Sequence, residues 1–234
     1  MFYSLDPRYW LLVGPTILFA LYAQAKVRSA FAHYSRVPNH RGYTGAMAAH
    51  KVLEVSGLHD VAIERTSGVL SDHYSPGERV LRLSPDVHDG RTIAAIAVAA
   101  HEAGHAIQHA AHYAPLAIRS AAVPIASFGS WLAFPLIFLG FILGSLGLVK
   151  VGIVAFSAIV FFQLVTLPVE FDASRRAKLV LSQIGLTAGP EEDEGVRKVL
   201  SAAAMTYVAA TLTAAAQLLY YVLIVLQAQS RSRD

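Results

Sequence analysis

The chain has 234 residues, 55% of them apolar and only 15% charged, which is too oily for an ordinary soluble domain of this length. It contains no cysteine, excluding disulfides and thiolate metal ligands. The net charge of +3 is small, and the basic residues form no dense tract interleaved with aromatics, so nucleic acid is not implied.

The charges are unevenly placed. None occurs between Arg8 and Lys26, Arg119 and Lys150, Lys150 and Glu170, or Lys198 and Arg231. Each gap holds roughly twenty residues of helix, enough to cross the hydrocarbon layer of a bilayer. The chain therefore reads as an integral membrane protein with spans at 9–25, 123–145, 149–168 and 204–227. The first is expected to be a retained anchor, because the start Met1 to Arg8 lacks a strongly basic region.

Residues 26–115 form the main water-facing segment. Gly45 to Ser56 is expected as a short helix ending at Gly57, and 60–65 as a strand. Ser67-Gly68 and Ser75-Pro76-Gly77 read as turns. A second strand, Val80 to Leu83, stops at Ser84-Pro85 and offers an edge to an extended substrate. Asp89 or a neighbour then caps a long helix from Arg91 to about His112. Beyond it, Pro115, Pro124 and Pro135 are expected to break the apolar stretch, and Gly140-x-x-x-Gly144 permits close helix contact, though weakly. After the third span a helix continues from Val169 to Leu181 and stops near Gly185. Thr187 to Pro190 is a break, and Glu191, Glu192, Asp193 and Glu194 suit the start of the last helix, where Tyr220 and Tyr221 are compatible with an interface. The whole chain, 1–234, reads as one membrane-embedded domain.

Four spans place 26–115 and 169–203 on one side. Near the span ends on that side lie Lys26, Arg28, Arg36, Arg41, Arg119, Arg175, Arg176 and Lys178, against Arg8, Lys150, Arg231 and Arg233 on the other. This basic bias puts both water-facing segments in the cytoplasm.

Within the long helix stands His101-Glu102-Ala103-Gly104-His105. A spacing of four sets both imidazoles on one helix face, where they can share a zinc ion, with Glu102 beside it as a base for water. A catalytic zinc normally takes a third protein ligand. His109 continues the series, but successive turns rise about 6 Å, and three collinear imidazoles cannot converge on one ion. His50, His59, His73 and His88 are weaker candidates, although His73 lies in a polar turn able to touch substrate or metal. Glu170 is the better one: it returns to the same membrane face and sits on a different helix. Asp172 is an alternative, and an ordinary interface carboxylate is the bland reading of Glu170.

These segments together resemble a known family. Ser71-Asp72-His73-Tyr74, Leu83 to Arg91, Ala95 to His109 and Leu167 to Ser174 are similar to the bacterial membrane-bound neutral zinc metallopeptidases of the YugP type, and more remotely to the HtpX/Ste24-like gluzincins. The resemblance covers nearly the whole chain. It implies a mainly α, four-span helical membrane protein with a small α+β zincin-like cytoplasmic segment carrying the motif helix. It also implies a zinc metalloendopeptidase of the bacterial inner (plasma) membrane: one Zn2+ held by His101, His105 and Glu170, Glu102 as general base, and a polypeptide substrate. The family glutamate of E-x-x-x-D falls on Glu170. Its aspartate falls on Ser174, so a hydroxyl or another group, such as Asp172, must support a histidine ligand here. A donor for the tetrahedral oxyanion is expected among His73, Tyr74, Arg175 and Arg176, which the sequence does not rank. The competing reading is a non-catalytic membrane scaffold or assembly factor with a structural or vestigial zinc site. Cleavage deep in the bilayer is disfavoured, because Asp86, Asp89 and Arg91 upstream and His109 and His112 downstream flank the motif.

Overall fold

A computed structural model describes residues 6–68 and 71–231. The chain forms α1 (Pro7–Tyr34), α2 (Gly45–Val55), β1 (Ala62–Arg65), β2 (His73–Ser75), β3 (Val80–Leu83), α3 (Pro85–His88), α4 (Ile93–Ala110), α5 (Ala114–Ile142), α6 (Leu146–Gln183) and α7 (Pro190–Arg231). It is mainly helical with one small sheet. Four helices, α1, α5, α6 and α7, are long and apolar enough to cross a membrane. Their apolar side chains are in large part exposed, Leu11 by 77%, Trp131 by 73% and Val154 by 71%, a surface that suits lipid rather than water.

The chain divides into two compact units. One comprises Met1–Tyr22, Ile118–Leu167 and Thr206–Asp234; the other comprises Ala23–Ala117 and Pro168–Met205.

In the first unit α5 and α6 approach through glycine. A Cβ on Gly140 would lie 2.8 Å from the Val149 nitrogen, and one on Gly129 would lie 2.7 Å from the Ala155 carbonyl oxygen. The close contact expected from Gly140 is therefore present, while Gly144, at φ +65°, takes the turn between the helices. The expected breaks at Pro124 and Pro135 do not occur, since both lie inside α5, while α6 runs through Pro168 into the helix expected from Val169. In an apolar medium, ending a helix leaves several backbone groups unpaired, which costs more than the single N–H that proline removes.

The second unit is built around β3, whose Val80, Leu81 and Leu83 are buried. The strand order is β1-β3-β2, with β1 parallel and β2 antiparallel to β3. Val80 to Leu83 is thus the central strand and offers no edge, contrary to the sequence reading; the edges are β1 and β2. The three-residue β2 is too short and polar for a period-2 signal. Asp72 fixes its approach, accepting from the Ser84 backbone N–H at 2.7 Å and from the Ser84 hydroxyl at 3.0 Å.

Helices α2 and α4 pack against the sheet in one core with Ala48, Ala49, Val52, Leu53, Leu81, Leu83 and Ile96. The alanines of α4 let neighbours approach on nearly every side. Gly45 shows the tightness: its Cβ would fall 2.1 Å from the Val87 carbonyl oxygen. The cap of α4 is Thr92, whose side chain accepts from the Ala95 N–H, rather than Asp89. Asp89 instead ends α3, which Pro85 opens at its first turn, a position where proline's missing N–H costs nothing.

Candidate metal centre

His101, His105 and Glu170 meet inside the second unit. Their ligand atoms all lie within 4.8 Å of one another. Glu170 Oε2 is 3.2 Å from His101 Nε2 and 3.7 Å from His105 Nε2. Ligands at about 2.0–2.1 Å from a tetrahedral zinc stand about 3.3 Å apart, so this donor set fits that ion in chemistry and in spacing.

Two helices make the meeting possible. In α4 the spacing of four stacks the histidines on one face, and Gly104 between them lets α6 come close. A Cβ on Gly104 would sit 2.6 Å from the Ala173 carbonyl oxygen and 3.3 Å from Ala173 Cα. Glycine is therefore required at that point, as its cost of about 1 kcal/mol inside a helix suggests. Glu170 is 2% exposed and His105 8%, whereas Glu102 is partly exposed.

The side chains behind the donors fix their orientation. Gln108 Nε2 donates to the Val169 carbonyl at 2.8 Å and to Asp172 Oδ2 at 3.0 Å. A carbonyl only accepts, so the amide nitrogen faces α6 and Oε1 faces His105 Nδ1, 3.0 Å away. His105 Nδ1 must then carry the proton, leaving the Nε2 lone pair aimed at the site. At the other histidine, Ser174 Oγ lies 3.1 Å from His101 Nδ1 and can accept its N–H. The hydroxyl at Ser174 thus occupies the place opposite His101, while Asp172 acts on His105 through Gln108.

The charges agree with this arrangement. Burial alone would push the Glu170 carboxyl up, but hydrogen bonds and charge from His101 and His105 hold it far below the usual carboxylate range. Burial would push His105 down, yet Glu170, Glu102 and Gln108 together raise it. A buried carboxylate facing two imidazoles favours a positive charge between them.

Of the other sequence candidates, none joins this group among the described residues. Asp172 is held by Gln108, Arg175 and Arg176. His109 Nδ1 is paired with the Tyr74 hydroxyl at 2.9 Å, and His73 Nδ1 with the Ser71 carbonyl at 2.8 Å. Gln108 escaped the sequence reading; its only signal was an amide three residues after the second histidine of the motif.

A family model described as "putative neutral zinc metallopeptidase" matches residues 9–226. The chain belongs to that family. Within it, the chain is 50% identical over 214 residues to "Putative membrane protease YugP" of Bacillus subtilis (strain 168), covering 91% of this chain and 94% of that protein. No solved structure matches the chain. The matched region of this zinc-metallopeptidase family member contains both motif segments, so the donors from α4 and α6 both fall inside it.

Proposed function

We propose that the protein is a zinc-dependent endopeptidase that hydrolyses polypeptide or membrane-associated substrates, with His101, His105 and Glu170 holding one zinc ion. The observation that carries this reading is the convergence of the three donors within 4.8 Å, in a chain of a zinc-metallopeptidase family. Zinc held there supplies Lewis acidity, acidifying water and polarising a carbonyl.

The chain's own residues do the rest. Glu102 follows His101 directly, so its carboxylate projects beside the ligand face and not across it. It accepts a proton as the water oxygen bonds to the scissile carbon, and it delivers that proton to the amine nitrogen as the C–N bond breaks. Gln108 and Ser174 hold the two imidazoles in the tautomer that frees both Nε2 atoms. The basic residues near the span ends support a site on the cytoplasmic face of a bacterial plasma membrane.

The test is Glu102→Gln in the full-length, zinc-loaded protein. Zinc stoichiometry should be retained while cleavage of an unfolded polypeptide falls by about 10²–10⁴-fold. Undiminished turnover would remove Glu102 as the base, and zinc retention without any cleavage in the wild type would favour the scaffold reading.

A further inference from the structure

Farther along α4, still within the second unit, lies a cavity of about 230 Å³ with Val61, Ala106 and Ala110 among its lining. Tyr74 and His109, joined at 2.9 Å, form one side. Arg79, ion-paired to Asp60, forms another, and His112 also lines it. His109 is seven positions past Glu102, which returns it to within about 20° of the same helix face after a rise of about 10 Å. An extended peptide covers that distance in about three residues.

Two residues of this cavity carry an unusual backbone. Arg79 and His112, with φ of 53° and 50°, are the non-glycine residues in the left-handed region among the described residues. His112 ends α4: its N–H donates to the His109 carbonyl at 3.1 Å, and the Tyr113 N–H donates to the Gln108 carbonyl at 3.0 Å. Glycine is the residue this helix stop favours. A histidine there gives up conformational ease and gains an imidazole at the cavity, a form of strain found at ligand-holding sites.

The chemistry selects the occupant. Asp60 and Arg79 neutralise each other, and the Tyr74 hydroxyl and His109 ring are already paired. An ionised group entering here would meet an ion pair whose charges already cancel, whereas small apolar residues leave room for bulk. We propose that this cavity receives a large uncharged side chain, aliphatic or aromatic, of the polypeptide substrate, about three residues from the bond that is cut. The inference rests on the peptidase reading.

The experiment profiles the zinc-loaded, full-length protein on a peptide library varied at each position around the cut, alongside Ala110→Leu and His112→Gly. The wild type should prefer Leu, Phe or Tyr at one position about three residues from the cleaved bond. Ala110→Leu, which fills the cavity from an exposed helix position, should move the preference there towards Gly or Ala by about tenfold or more in kcat/KM, mainly through KM. His112→Gly should raise Tm while flattening the preference at that position alone. Zinc-dependent cleavage with wild-type profiles in both variants overturns the cavity's role and leaves the peptidase reading standing. Absence of zinc-dependent cleavage in the wild type overturns both.

Discussion

Replacing Gly104 by alanine tests whether helix proximity builds the metal centre. The new Cβ would stand 2.6 Å from the Ala173 carbonyl oxygen, where ordinary contact begins at 3.4 Å, so the α6 backbone must retreat by 3.4 − 2.6 = 0.8 Å. Glu170 lies one turn earlier on the same helix. Applied to its separations of 3.2 and 3.7 Å from the histidines, that retreat opens them to roughly 4.0 and 4.5 Å, against about 3.3 Å for a tetrahedral zinc. Overpacking costs about 1–3 kcal/mol, and the gain in helix propensity returns about 1 kcal/mol. The metal-free variant should therefore lose on the order of 0–2 kcal/mol. Zinc affinity should fall about 10–100-fold, the size seen when ligand positioning is disturbed. Competition with a chromophoric chelator on purified protein reads the affinity, and unfolding of the metal-free protein reads the stability. Wild-type affinity together with a protein stabilised by about 1 kcal/mol would refute the reasoning.

Gln108→Leu removes the acceptor at His105 Nδ1 and the donors to Val169 and Asp172; zinc affinity should drop about 10–100-fold, measured by the same competition. Ser174→Ala should weaken zinc binding by less, because water can replace a hydroxyl, whereas Ser174→Asp should match or exceed the wild type through a charge-assisted bond to His101. Glu192, with its side chain 2% exposed, accepts from the backbone N–H groups of His40 and Ala188 and contacts the His40 ring. Burial opposes its charge, but these partners hold the carboxyl below its ordinary value. Its folded-state pKa is thus depressed, and the stability it contributes is present above about pH 4.3, the unfolded carboxyl's range, and lost as pH falls through the folded value. Glu192→Gln should accordingly be less stable than the wild type at pH 7, with the gap closing on acidification in urea unfolding series.

Much of this architecture was legible because single physical effects dominate it. Gaps without charge mark the apolar helices, since few residues tolerate hydrocarbon while ionised. The i, i+4 histidines mark α4, and Val80 to Leu83 is a strand at the residues expected. Three features depended on partners that the local sequence does not name. Pro124 and Pro135 stay inside α5 because the surroundings make a break costlier than a missing N–H. Thr92 caps α4 because Asp89, an equally good cap by type, is taken by α3. Gln108 gains its role only once Val169 and Asp172 of α6 stand opposite it. Whether Glu170 serves as a ligand is decided by zinc binding in Glu170→Gln; its placement beside both histidines is already fixed by Gly104.

Gln108 reaches partners 61 and 64 positions downstream, and Glu170 follows His105 by 170 − 105 = 65 positions. During synthesis, a chain that has emerged only as far as α5 holds two of the three donors, with Gln108 lacking the α6 partners that turn its amide oxygen towards His105. The complete donor set then arrives late, when α6 has been made and docked against Gly104. Under the proposed peptidase reading, the proteins being inserted beside the chain meet no complete metal centre until α6 has docked.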